Sequence, residues 1–101
     1  MTIDTIIEKK TTTSRKIKEP SKYKVIVCND DVTPMEFVVA MLVAVFNHEE
    51  RQAISLTLAI HNKGSAVAGI YSCEIAEQKV IDATNMAKLN GYPLVLKAEA
   101  E

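Results

Sequence analysis

Apolar positions recur at Tyr23, Val25 and Val27 within the run Tyr23 to Cys28, which is the two-residue period of a β-strand. The polar triplet Asn29-Asp30-Asp31 ends it as a loop. Thr33-Pro34-Met35-Glu36 follows, placing a capping hydroxyl, a proline at the first helical position and a glutamate three residues after the cap. In this reading the Thr33 hydroxyl satisfies a free backbone N–H, which stabilises a helix by about 1 kcal/mol. The pattern predicts a helix from Pro34 to about Phe46 that buries Phe37, Val38, Met41, Leu42 and Val45.

A second helix is predicted to open near His48, with Glu49 and Glu50 at the positive end of its dipole. Its apolar stripe is Ala53, Leu56 and Ile60 with Ile54 and Leu58, and Gly64 supplies a left-handed stop. Ala66 to Tyr71 reads as a second strand. Ser72 is predicted to cap a third helix with Ile75, Ala76, Val80, Ala83 and Ala87 inward, ending at Gly91. Pro93 leads into a last strand, Leu94 to Ala98. The order β-α-α-β-α-β predicts a compact α+β domain at 22–101: a three-stranded antiparallel sheet with three helices on one face. Residues 1–21 show no sustained period, end near Pro20 and read as a flexible N-terminal tail.

Composition narrows the function classes. With 12 basic and 13 acidic residues the net charge is −1, and no basic stripe favours nucleic acid as a partner. Cys28 and Cys73 make no CxxC pair and read as separate thiols, which suits a reducing compartment. The apolar run Phe37 to Phe46 is about half of a membrane span. The N-terminus lacks a signal peptide's apolar core, and Asp4 and Glu8 oppose a transit sequence. The expectation is a cytoplasmic protein without a membrane partner.

The inventory for chemistry is thin. The three glycines form no phosphate-binding loop, and His48 and His61 stand without an HExxH or Cys/His cluster. Asp30-Asp31 lacks the spaced oxygens, turn glycine and final glutamate of a calcium loop. No serine or cysteine sits in a nucleophile elbow, so neither a metal, a cofactor nor catalysis is expected. Asn29-Asp30-Asp31, Met35 and His61 remain as candidate site residues, each with an ordinary alternative as turn, core filler or helix-end residue. A small hydrolase using Asp30 or Asp31 with His61, and a structural interaction domain, stay open at this level.

The run Asn29-Asp30-Asp31-Val32-Thr33-Pro34-Met35-Glu36-Phe37-Val38 resembles the signature of ClpS, the adaptor family that feeds N-degron substrates to the Clp protease. Leu58-Ala59-Ile60-His61, Gly64-Ser65-Ala66-Val67, Glu74-Ile75-Ala76-Glu77-Gln78-Lys79 and Pro93-Leu94 agree in order and spacing. The resemblance implies a non-catalytic adaptor that holds a free α-amino group and a large hydrophobic first residue. It implies that Asn29, Asp30 and His61 hold the ammonium. It implies that Asp31, Thr33, Met35, Val38, Thr57, Ile60 and Leu94 shape the first-residue pocket. Glu74 and Lys79 match positions facing the N-terminal domain of a Clp AAA+ unfoldase, and the tail would serve delivery.

These residue types suit the task. An ammonium has three donors and no acceptor, and an Asn carbonyl, a carboxylate and a neutral imidazole supply three acceptors. Imidazoles ordinarily titrate near 6.5, so binding should weaken as pH falls below about that value. Met35 is expected to gate the pocket against β-branched first residues. Three departures from the family stand out. Thr57 takes the place of a common methionine, Val32 that of a tyrosine, and Ala40, Val43 and Ala44 make the outward face of the first helix apolar. Such a patch can mark a partner or self-association surface. Thr57 keeps open a paralogue that selects other termini or modulates the unfoldase. Similar small α+β folds occur in ribosomal stalk proteins, and fold alone does not decide function.

Overall fold

A computed structural model of the chain describes residues 22–101; the expected tail, 1–21, lies outside the described residues. Six elements follow one another: β1 (Lys22–Cys28), α1 (Met35–Phe46), α2 (Glu50–Lys63), β2 (Ser65–Ser72), α3 (Cys73–Leu89) and β3 (Val95–Ala100). The element order and the antiparallel three-stranded sheet are those expected from the sequence.

β1 is the central strand of the order β2-β1-β3, and both pairings are antiparallel. Its Val25 and Val27 are fully buried, as the alternation predicts. Opposite β1 the register shifts: Val25 pairs with Gly69 and Ile26 with Val67, leaving Ala68 as a bulged residue. The Ala68 carbonyl oxygen lies 2.6 Å from His48 Nε2, a bond in which the imidazole donates. The turn between α1 and α2 is thereby tied to the sheet.

Val25 and Val27 pack with Val38, Met41, Leu42 and Phe46 of α1, Ala53 and Ile60 of α2, and Leu94 and Leu96 near the last strand. Phe37 and Val45, expected inside, are half-buried and pack against this core. Phe37 meets the Tyr92 ring edge-on at 5.0 Å. α3 buries Ala76, Ala83 and Ala87, a stripe of small side chains that lets its axis approach the sheet closely.

Several expected inward positions face out. Ile75 is 50% exposed, Ile54 46% and Leu58 48%, whereas Thr57 is buried. Each helix turns about 100° per residue, so the rows Ala53-Thr57-Ile60 and Ala76-Ala83-Ala87 exclude their immediate neighbours from the core.

The helix starts also differ from expectation. α1 begins at Met35, with Pro34 as its N-cap residue and no side-chain cap. The Pro34 carbonyl accepts from Phe37 N and Val38 N. Ser72 likewise makes no capping bond to α3. Asn47 closes α1 in the left-handed region at φ 60°, and Gly64 closes α2 at φ 92°, a conformation glycine adopts without steric cost. Cys28 and Cys73 are both free and half-buried.

Candidate functional site

The loop after β1 and the last turn of α2 are joined by main chain. Asn29 N–H donates to the Gly64 carbonyl oxygen at 2.8 Å, and Gly64 N–H donates to Ile60 O at 2.9 Å. The left-handed glycine thus ends α2 and holds the end of β1 at the same point. This link brings Asn29-Asp30-Asp31 up to His61.

The loop is shaped by the Asp30 carboxylate. Its Oδ1 accepts from Val32 N and Thr33 N, each at 2.8 Å, and its Oδ2 accepts from Thr33 Oγ1 at 2.6 Å. The Thr33 hydroxyl thus donates to Asp30, and it does not cap α1 as the sequence pattern suggests, because the helix starts at Met35 and the cap position falls to Pro34. The charged acceptor makes this bond short and strong. Burial by itself pushes the Asp30 carboxyl up, but the Thr33 hydroxyl and the Thr33 and Val32 N–H groups outweigh it and hold the pKa below its ordinary value. Asp30 is an anion at neutral pH, with one lone-pair direction of its four left beyond those three bonds.

Asn29, Asp30, Asp31, Thr33, Met35, Val38, Thr57, Ile60 and His61 together line a cavity of about 160 Å³. Val38, Thr57 and Ile60 are buried and form its wall, whereas Asn29, Asp31 and His61 are exposed at its mouth. Met35 is 39% exposed, between the two groups. Drug-sized sites run to roughly 300–1,000 Å³; a cavity this small suits one side chain. Leu94, expected in the wall, is instead a core residue and not among the lining residues. Thr57 Oγ1 donates to Ala53 O at 2.8 Å within its own helix. Its polar atom is satisfied there, so the wall is less polar than the residue type suggests.

Glu74 and Lys79 lie together on α3, lining a shallow depression with Ile75, Gln78 and Asp82. The Lys79 ammonium donates to the Val45 carbonyl at 2.7 Å and sits 5.7 Å from the centre of the Tyr71 ring. Tyr71 in turn packs on Phe46 at 6.4 Å, and burial raises its hydroxyl pKa. Lys79 therefore braces α3 against α1. Among the described residues, no group of three or more His, Cys, Asp or Glu is placed to hold a metal ion, and no helix is long and apolar enough to cross a membrane.

Two features escaped the sequence reading. Gly64 acts through its carbonyl as well as its conformation, which no residue-type pattern signals. A groove of about 740 Å³ between α1 and α2, lined by Met35, Glu36, Val39, Ala40, Val43, Glu50 and Ile54, was foreshadowed only by the apolar Ala40 and Val43. Ile54, lying off the buried row, is the signal that completes it; Ala44 is exposed but not part of its lining.

A small α+β domain with a preformed pocket, polar at its mouth and apolar in its wall, has the form of a ligand-recognition module. Residues 18–97 match the family described as ATP-dependent Clp protease adaptor protein ClpS. The ClpS adapter protein of Bdellovibrio bacteriovorus is 49% identical over 86 residues, covering 85% of this chain and 75% of that protein. That of Treponema denticola is 44% identical over 92 residues, covering 91% of each. Among solved structures, Agrobacterium tumefaciens ClpS2 bound to L-phenylalaninamide superposes with a TM-score of 0.80 at 41% identity, covering 82% of this chain and all of that one. The chain belongs to the ClpS family of Clp protease adaptors.

Proposed function

We propose that this protein captures N-degron substrates by a free α-amino group and a large hydrophobic first residue, Leu, Phe, Tyr or Trp, and delivers them to a Clp AAA+ unfoldase. The observation that carries the reading is the convergence of Asn29, Asp30 and His61 with Met35, Val38, Thr57 and Ile60 on one cavity of single-residue size. The resemblance to a relative solved with L-phenylalaninamide, an amino acid derivative with a free α-amino group, supports it.

In this reading Asn29 Oδ1, the free lone pair of Asp30 and a neutral His61 nitrogen accept the three ammonium hydrogens. Each charge-assisted bond contributes about 1.5–3 kcal/mol, and burial of a Phe or Leu side chain adds roughly 1.5–3 kcal/mol. Association entropy removes much of this, so a Kd near 1 μM, about −8 kcal/mol, is expected. The protein works by binding and not by turnover, in the cytoplasm. The Glu74–Lys79 face of α3 docks on the N-terminal domain of the unfoldase.

Fluorescence anisotropy with labelled peptides beginning in Phe, Tyr, Trp, Leu, Ile or Val tests this. Micromolar binding to the large hydrophobic termini, abolished by acetylation and by His61→Ala, is the expected result. No affinity for any free terminus refutes it, and a preference for other first residues makes the chain a paralogue of altered specificity.

A further inference from the structure

The groove between α1 and α2 is larger than the first-residue cavity and chemically different from it. Val39, Ala40, Val43 and Ile54 give it an apolar floor, with Glu36 and Glu50 as its charged lining residues. Val43 is 38% and Ile54 46% exposed, so apolar surface of both helices meets water in the groove. Met35 lines both this groove and the cavity that ends at His61. The two spaces therefore adjoin through one flexible thioether. A chain whose first side chain fills the smaller space has its next residues within reach of the larger one.

We propose that the α1–α2 groove is a second subsite, which receives an apolar side chain at the second or third position of the peptide held in the first-residue cavity. The proposal rests on the N-degron reading and deepens it. The occupant is the substrate itself because the groove is continuous with the substrate cavity at Met35. Its volume, within the range of drug-sized sites, leaves room for a side chain as large as Leu or Phe. The apolar floor selects a side chain such as Leu or Phe, and Glu36 and Glu50 favour a positive charge close by. Burial of such a side chain against Ala40, Val43 and Ile54 should tighten binding about tenfold, equal to about 1.4 kcal/mol. Selection would then extend beyond the first residue: two substrates sharing an amino-terminal Phe would be captured unequally.

The test compares Phe-Ser-Ser, Phe-Leu-Ser and Phe-Ser-Leu peptides of otherwise identical sequence against the full chain and against its Val43→Glu and Ile54→Ser variants. Val43 and Ile54 lie outside the first-residue cavity, so the Phe-Ser-Ser peptide reports whether each variant keeps that cavity intact. The expected result is about tenfold tighter binding of one leucine-bearing peptide, lost in both variants while Phe-Ser-Ser affinity is unchanged. Equal affinities for the three peptides overturn the subsite and leave the first-residue site standing. An advantage that survives both variants places the leucine elsewhere and also overturns it. Failure of all three peptides to bind removes the N-degron reading itself. Sedimentation velocity closes the remaining alternative: a concentration-dependent dimer abolished by Val43→Glu assigns the groove to a second copy of the chain and overturns the proposal.

Discussion

Replacing Thr33 by valine separates the two roles available to its hydroxyl. The 2.6 Å bond from Thr33 Oγ1 to Asp30 Oδ2 disappears, while the two N–H bonds to Oδ1 remain. A bond to a charged group contributes about 1.5–3 kcal/mol when well shielded. This one is only partly buried, and solvent screening brings the expected loss to about 0.5–1.5 kcal/mol.

Stability alone cannot identify the bond, because loss of a helix cap costs a similar amount. The titration of Asp30 can. In the native chain hydrogen bonding holds its pKa below 3.8 against the opposing effect of burial. Removing one of three bonds lets burial weigh more, and the pKa rises. The sign for stability follows from linkage. A depressed carboxyl contributes fully above its unfolded value near 3.8, and the contribution is lost as pH falls through the lower folded value. The gap in unfolding free energy between wild type and Thr33→Val is therefore widest near neutral pH and closes in acid. Carbon-13 NMR titration of the Asp30 carboxyl, with urea unfolding at pH 7 and pH 3, measures both. Thr33→Ser should restore the low pKa. An Asp30 titration unmoved by Thr33→Val, with stability lost equally at both pH values, refutes the loop assignment and returns the hydroxyl to the helix.

Met35→Ala should admit Val- and Ile-led peptides that the native chain rejects, read as micromolar anisotropy binding; a variant as selective as wild type removes Met35 as the gate. His61→Lys should abolish binding of a Phe-led peptide, because a cationic donor then faces the ammonium, whereas His61→Gln, which keeps an acceptor, should retain part of it; equal affinity of the two variants contradicts that contact. Gly69→Ala should cost about 1–3 kcal/mol in urea unfolding, since its Cβ would overlap the Tyr71 ring that lies beneath Lys79; a neutral substitution would mean that Tyr71 moves aside freely.

The fold was legible where the signal is local. The alternation at Val25 and Val27, the stop at Gly64 and the alanine row of α3 each express a backbone period or a single glycine conformation, and the elements fell within a few residues of expectation. The exposure of Ile54, Leu58 and Ile75 is not legible in the sequence, for a nonlocal reason. An apolar residue beside a buried row reads the same as one within it until the partner element is in place. Asn29-Asp30-Asp31, Met35 and His61 stand out by residue type, the resemblance to a family signature supplies the rest, and nine of the ten substrate-binding candidates line one cavity. Leu94 is the exception, taken up by the core as the chain enters β3. The missing Thr33 cap has a local cause: α1 starts at Met35 with Pro34 as its N-cap residue, one position later than the capping pattern indicates, and residue types alone do not fix that register.

The latch between Asn29 and Gly64 is made only of backbone atoms. Any amino acid except proline carries the amide needed at position 29, so this one tie in the frame of the cavity does not depend on the side chain displayed there. Side chains such as Asn29, Thr57 and His61 can be exchanged over generations without the β1 loop and α2 parting company. Gly64 does not share that freedom: at φ 92° a side chain is strained in whatever form it takes. The demand for one particular residue at this junction therefore falls on Gly64, which displays no side chain at all.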